Sequence, residues 1–566
     1  MASSSFPAST SIFDFHFCIP SIHAPPFSMA SSLPPLLVLL LLLVVTTTTT
    51  ASASATPSSS TPAINQACRA TRTPGLCVSA LSQFLPALPH NASGSDVALH
   101  GVSTAIGGVR TARANAQAIL FASASNVNQS NVARTCLEIL LLAKRRLRYA
   151  SQFVLPAPIE ARALVSAAHT YQSGCLSALN RVNTTKQVVD AAAFLERVAN
   201  LTGYLAAMVA NLQRYGGKDM SKWALPQTER DGYWPPSAAA GGRGLQKKFP
   251  PPGQPANATV CKGEGCVYET VQAAVDAAPL SSRNPFVIHI KEGVYEETVR
   301  VSVEKTQLVF IGDGMGKTVI TGNLSVDQLA RVGLSTYNTA TVGVNGDGFM
   351  ARDLTIANTA GPDAHQAVAF RCDSDHAVLE SVEFLGHQDT LYADSLRQFY
   401  NSCRIAGTID FIFGFSAAVF QRCNIVVLPR QLEPEKGEKN TVTAHGRIDP
   451  AHSTGFVFDR CVVNSSEEYL ALYRKNPAVH RTYLGRPWKE YSRTVFINCY
   501  LAEIVRPEGW LPWSGEFALP TLYYGEFRSS GPGAKATARV PWSSKIPEGH
   551  LASYSLENFL QIGKWQ

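Results

Sequence analysis

Two aspartates, Asp389 in GHQDTLY and Asp410 in GTIDFIFG, follow one another at a step of 21 along the chain. Two glutamines repeat almost the same step: Gln366, in HQAVAF, precedes Gln388 by 22. Two carboxyl groups held together resist ionising at once. One keeps its proton and serves as an acid while the other stays anionic as a base or nucleophile. Two amides on the same face hold an oxyanion. Together the four residues suit attack by a carboxylate on an ester, the partner carboxyl protonating the departing alcohol. Arg486 and Trp488 in YLGRPWKEY, with Trp510 in GWLPW, add a guanidinium for an acidic substrate and flat faces for sugar rings. Asp and Gln also cap turns and form ladders, and tryptophans also fill cores, so spacing alone leaves a structural reading open for each.

The step between the aspartates becomes geometry if the chain coils with that period. The segments LESVEFLG, FYNSCRIAG, FQRCNIVV, FDRCVVNS and FINCYLAE share an aromatic or Leu start and an apolar centre. Aligning Val382, Cys403, Cys423, Cys461 and Cys499 gives steps of 21, 20, 38 and 38. A period near 20 predicts stacked coils of a parallel β-helix. Each of the two longer steps is two coils or one coil with a long loop; the charged tract QLEPEKGEKN favours the loop. Residues one coil apart sit on neighbouring strands about 4.8 Å apart, within disulfide range, so a Cys403–Cys423 bridge is expected. Cys372, Cys461 and Cys499 read as small buried apolar residues, and Cys261 and Cys266 could close a short loop or bind metal, the lack of a nearby His pair favouring the disulfide.

Ahead of this β-rich region (258–566), residues 62–212 are Ala- and Leu-rich with helical spacing, predicting a bundle of about four long helices. It holds Cys68, Cys77, Cys136 and Cys175; the pairing 68–77 and 136–175 is the simplest of three connectivities. No metal or acid–base cluster stands out in it. Residues 213–257 collect Pro, Gly, Ser and Lys as a linker with exposed basic residues, open to a processing protease or serving as a plain spacer. Residues 1–55 carry the apolar run LLVLLLLLVV (36–45), read as a signal peptide, with Met29 as an alternative start and an uncleaved anchor as the competing reading. Seven sequons, at Asn91, Asn128, Asn183, Asn200, Asn257, Asn323 and Asn464, fit a secreted glycoprotein.

The composition excludes several functions. Residues 1–257 carry 20 Lys and Arg against 9 Asp and Glu, and residues 258–566 carry 29 against 33, so the later half has no basic footprint for nucleic acid. The tract IGDGMGKT is one residue too short for a phosphate loop, and VIT rather than a helix follows it. The Asp-Asp pair of polygalacturonases is absent, the acidic cluster of a calcium-dependent lyase is not seen, and QDTLY lacks the glycine and second copy of an aspartic protease.

GVYEE (293–297), HQAVAF (365–370), GHQDTLY (386–392), GTIDFIFG (407–414) and YLGRPW (483–488), in that order, resemble the signature segments of plant pectin methylesterases. The helical region, with its four cysteines, is similar to the inhibitor domain that precedes many of these enzymes. The resemblance implies two domains: an all-α four-helix bundle, inhibitor-like, then an all-β right-handed parallel β-helix. It implies hydrolysis of methyl esters of homogalacturonan (pectin) to pectate and methanol, in the plant cell wall (apoplast). By the resemblance Asp410 is the nucleophile, Asp389 the proton donor and then the base for water, and Gln388 and Gln366 the oxyanion donors. Arg486 orients Asp410 and faces the galacturonate, while Thr336, Tyr392, Phe413, Trp488 and Trp510 shape the groove. The resemblance also implies the Cys403–Cys423 bridge. No metal or cofactor is required. The implied partners are pectin, the chain's own inhibitor-like domain in cis, separate inhibitor proteins and a processing protease. A retained bundle would make the protein mainly an inhibitory regulator.

Three departures from the family pattern stand out. Phe415-Ser416 replaces the Asn-Ala that many relatives carry after DFIFG. Arg243-Gly-Leu-Gln, with Lys247-Lys248 nearby, replaces the usual dibasic processing signal. The sequence ends at Gly-Lys-Trp-Gln, short of the tail of many relatives.

Overall fold

The computed structural model describes residues 61–84, 88–89, 91–234, 249–251, 255–263, 265–434 and 437–561. The apolar run 36–45 with Met29, the basic residues Arg243, Lys247 and Lys248, and the terminal residues 563–566 lie outside the described residues.

The helical region has two short helices, α1 (Thr61–Cys68) and α2 (Pro74–Phe84), then four long ones: α3 (Gly94–Ala122), α4 (Val127–Phe153), α5 (Pro158–Asn180) and α6 (Lys186–Tyr215). Helix starts are written in the sequence. Ser93 and Asp96 form a reciprocal capping box, Asn126 and Thr185 cap α4 and α6, and Pro158 opens α5. On α3 the buried residues Val97, Ala98, Val102, Ala105, Val109, Ala112, Ala116 and Ile119 recur every three or four positions and make one apolar stripe. Close packing of α3 on α6 depends on Gly101, where a Cβ would come within 2.4 Å of Leu205. Disulfides Cys68–Cys77 and Cys136–Cys175 tie α1 to α2 and α4 to α5.

Beyond residue 257 the chain coils into a parallel β-helix. Seven strands form one face, all parallel, in the order Val299–Val301, Val342–Val344, Phe370–Cys372, Leu391–Ala393, Ile409–Gly414, Glu438–His445 and His480–Gly485. A second parallel network of seventeen strands wraps the remaining faces. IGDGMGKT is a turn between the strands Leu308–Gly312 and Thr318–Gly322.

The sequence repeat is a register. Tyr400, Phe420, Phe458 and Phe496 pair in succession and their rings stack 4.5 to 4.7 Å apart along the core. Two residues after each aromatic, Ser402, Arg422, Arg460 and Asn498 all take left-handed φ between 52° and 54° and turn the corner of the coil. Both of the longer steps in the repeat are single coils. Each gives one strand to the seven-stranded face, Glu438–His445 and His480–Gly485, and the second is lengthened by the helix Glu467–Lys475.

The cysteines after these corners correct one expectation. Cys403 and Cys423 are buried free thiols, as are Cys372, Cys461 and Cys499. In-register positions on parallel strands project their side chains side by side rather than toward one another, so the sulfurs stack as a ladder. Cys403 donates to Leu379 O, Cys423 to Tyr400 O, Cys461 to Phe420 O and Cys499 to Phe458 O, each a carbonyl of the preceding coil. Cys261 and Cys266 are bridged.

The segment after α6 keeps its basic residues Lys218, Lys222 and Arg230 exposed, yet it is anchored at a few buried points. Trp223 is buried against Gly94, and Glu229 pairs with Arg493 at 2.6 Å on the β-helix.

Candidate active site

Register Leu391↔Ile412 sets Asp389 opposite Asp410 on adjacent coils, which is the structural meaning of their spacing in the sequence. Both backbones are left-handed, φ 65° at Asp389 and 50° at Asp410, and the pairing of Ile409–Gly414 with Glu438–His445 slips between Ile409 and Ile412. Such conformations cost roughly 1–3 kcal/mol each and bulges re-aim side chains, so the fold bears strain where the two carboxyls are presented.

Asp410 is gripped from two sides. Arg486 donates through Nε to Oδ1 at 2.9 Å and through Nη2 to Oδ2 at 2.7 Å. The Thr441 hydroxyl donates to Oδ1 at 2.6 Å and accepts the Asp410 N–H at 2.9 Å. Among the described residues, no side-chain hydrogen bond holds the Asp389 carboxyl. Burial, and then the charge of Asp410, raise its pKa well above the ordinary carboxylate value, outweighing Arg486. One carboxyl is therefore clamped by a cation and its neighbour is biased toward its protonated form.

Both carboxyls, Gln366 and Gln388 line one cavity of about 450 Å³. Neither glutamine amide has a protein hydrogen-bond partner among the described residues, which leaves both free for a ligand. The floor is aromatic: Tyr392 stacks on Phe413 at 4.2 Å, and Trp488 packs on Phe413 and on Phe415 at 4.6 Å. Thr336 lies on the rim, and Phe415, singled out as a departure, is part of the wall. Ser416 is buried.

Trp510 is not in the groove. It is 1% exposed and packed between Phe496 and Tyr524 in the core, because its bridge to Gly485 continues the inward-facing ladder. Its place is taken by Trp513, whose ring lies 4.4 Å from the Arg486 guanidinium. Sequence reasoning also missed Thr441 and Lys489, whose only signals are adjacency to GRPW and to the strand beside Asp410. It missed a second carboxyl pair too: Asp394 lines the groove beside Asp373 and Arg371, and burial, with Asp373 adding to it, raises its pKa.

The bundle lies across this face. Arg146 of α4, fully buried, pairs with Asp347 at 2.6 Å; Glu160 of α5 pairs with Arg397 at 2.7 Å; Glu138 of α4 accepts from Tyr337 at 2.8 Å and Asn345 at 2.9 Å. Tyr171 bonds Ser395, Arg72 pairs with Asp449 at 2.9 Å, and Val303, Leu396 and Ala451 join the bundle's apolar core. Thr170, Ser173, Ser177 and Arg181 of α5 and its C-terminus roof the cavity, yet none hydrogen-bonds to Asp389, Asp410 or Arg486. The bundle covers the site without plugging it.

Comparison with known proteins follows this division. The family model described as pectinesterase matches residues 257–563, and the model described as plant invertase/pectin methylesterase inhibitor matches residues 62–208. The chain is 52% identical over 511 residues to a probable pectinesterase/pectinesterase inhibitor 64 of Arabidopsis thaliana, covering 89% of this chain and 84% of that protein. It is 37% identical over 414 residues to a probable pectinesterase/pectinesterase inhibitor 58 of the same plant, 71% of this chain and 70% of that one. The solved pectin methylesterase from carrot is 42% identical, covers 55% of this chain and 95% of its own, and superposes with a TM-score of 0.52.

Proposed function

The chain belongs to the pectinesterase family of carboxylic ester hydrolases and carries a pectin methylesterase inhibitor domain, and on that premise we propose that it removes methyl groups from pectin through an acyl-enzyme on Asp410. The observation that carries this reading is the unequal pair: Asp410 clamped by Arg486 and Thr441, Asp389 biased toward its protonated form beside it in one cavity.

An Asp410 oxygen attacks the ester carbonyl carbon, and the carbonyl oxygen becomes an oxyanion within reach of the Gln366 and Gln388 amides. As the C–O bond to the methoxy group breaks, Asp389 gives its proton and methanol leaves. The mixed anhydride on Asp410 is then opened by water whose proton returns to Asp389, releasing the galacturonate carboxyl and restoring both groups. Arg486 keeps Asp410 aimed throughout.

The docked bundle is an autoinhibitory cover. Helices α4 and α5 lie where a polymer would run, and the ion pairs Arg146–Asp347 and Arg397–Glu160 hold them there. A chain that keeps its bundle excludes pectin and behaves as a regulator; release of the bundle exposes the groove. Secretion to the cell wall is part of the proposal. It is supported by the disulfides and by the exposure of all seven sequon asparagines.

The test is methanol release from highly methylated pectin by the intact chain and by residues 258–566. The β-helix alone should be active and should lose activity when the bundle is added back. Equal activity of both forms would refute the cover.

A further inference from the structure

Away from the groove, a second cavity of about 450 Å³ opens between the bundle and the segment that follows α6. Arg69 after α1, Arg162 on α5, and Arg214 on α6 line it, with Trp223 and Tyr233 of the connecting segment, and no carboxylate does. None of the three arginines has an ion pair among the described residues. Arg162 is the inner one. Its Nε donates to Ala451 O at 2.5 Å and its Nη1 to Gln213 Oε1 at 3.3 Å, both neutral oxygens. Arg214 lies over Tyr233, 4.1 Å from the ring centre, and donates to Gln227 Oε1 at 3.2 Å. Arg69 stands exposed at the mouth.

The ground behind the cavity is also rich in cations. Arg162, Arg447 and Arg493 meet at the seam between bundle and β-helix with Glu229 and Asp449 as the carboxylates among them, while the more exposed Arg72 beside them pairs with Asp449 and, at 3.5 Å, with Glu490. Burial, with Arg493 adding to it, brings Arg162 down to about 10 and Arg447 to about 9. Buried guanidiniums that outnumber their counter-ions are relieved by an anion, and the forked guanidinium matches a planar carboxylate through two hydrogen bonds.

We propose that this cavity is an oxyanion site whose occupant is a short uronate chain, its carboxylates reaching Arg162 inside and Arg69 and Arg214 at the mouth. Arginines carried by three separate elements around a cavity of this size suit several carboxylates on one molecule better than a single small ion. The oxyanion chemistry rests on the arginines alone; the uronate identity rests on the esterase reading, whose product is such a chain. Because the occupant touches α5, α6 and the connecting segment together, its binding stabilises the docked bundle.

The test is calorimetric titration of the full-length chain with trigalacturonate, with its fully methylated ester and with inorganic phosphate. Trigalacturonate should bind, its ester should show no binding that R69Q/R214Q removes, and R69Q/R214Q should weaken trigalacturonate binding at least about tenfold, with R69K/R214K, which keeps the charge but not the fork, falling between. Bound trigalacturonate should also raise the melting temperature of the wild type but not of R69Q/R214Q. Undiminished binding by R69Q/R214Q would put the sugar elsewhere and overturn the site. Phosphate binding as tight as trigalacturonate would overturn the uronate identity, and no binding of any probe would overturn the whole. Loss of the esterase reading is seen separately, in methanol release by residues 258–566, which contain none of the three arginines.

Discussion

Acid should loosen the bundle. His169 of α5 and His452 of the β-helix meet across the seam, Nδ1 to Nε2 at 3.1 Å, His452 buried and His169 half-buried. Burial lowers the pKa of both, and the neighbouring imidazole and the cations Arg447, Arg162 and Arg72 lower His452 further; for His169, Asp449 opposes the shift and Arg72 adds to it. Space for rearrangement is short, since a Cβ on Gly203 of α6 would already lie 3.0 Å from the His169 ring. Docking therefore favours neutral imidazoles, and release removes the burial that lowers them and returns them toward the ordinary value of about 6.5. The sign follows from the depressed values: the pair's contribution to docking is fully present above pH 6.5 and is lost as pH falls below it. Each imidazole that takes a proton only on release weakens docking about tenfold per pH unit there. Between pH 7.5 and 5.5 the docking constant should drop about tenfold for one such group and about 100-fold for both. The assay is methanol release by the intact chain divided by that of residues 258–566 at the same pH, which removes the pH dependence of the chemistry itself. The ratio should rise steeply below pH 6.5 in the wild type and be flattened in His169→Asn/His452→Asn. A double variant as steep as the wild type would refute the role of the pair.

Three other outcomes follow from the geometry. Trp510→Ala should destabilise the β-helix by about 3–5 kcal/mol in chemical denaturation, whereas Trp513→Ala should leave stability nearly unchanged and raise KM for pectin. Thr441→Val removes a hydroxyl donor 2.6 Å from Asp410 and should lower kcat about tenfold with little change in KM. Because the bundle covers the cavity without entering it, the intact chain and residues 258–566 should differ far less in hydrolysing the methyl ester of a monomeric uronate than in hydrolysing pectin; equal ratios for the two substrates would mean that the site is blocked rather than roofed.

The face that carries the two aspartates was legible in the sequence because its spacing is the coil itself. Asp389 and Asp410 are one coil apart and fall opposite one another in register, and the step from aromatic to corner to cysteine is repeated with the same left-handed φ. What failed was whatever depends on direction rather than period. Cys403 and Cys423 have the separation of a bridge but the side-by-side projection of a ladder. In GWLPW either tryptophan could face the groove; the bridge from Trp510 to Gly485 decides it, and no local pattern announces that bridge. The two longer steps of the repeat hid one coil each because residues such as the helix Glu467–Lys475 are added around the strand that every coil gives to this face. The seam was illegible for another reason. Arg146, Glu160, Tyr171 and Glu229 find their partners on the β-helix, far along the chain, and a buried Glu229 in a stretch of linker-like composition is set by tertiary contact alone.

The central claim is that Asp410 is the nucleophile and Asp389 its proton donor. The most direct measurement is methanol release from highly methylated pectin by residues 258–566, beside Asp410→Asn and Asp389→Asn, each checked for a folded β-rich spectrum. The account predicts that wild type releases methanol, that Asp410→Asn abolishes release, and that Asp389→Asn lowers it by about 10²–10⁴. Folded Asp410→Asn protein that still releases methanol at the wild-type rate would contradict it.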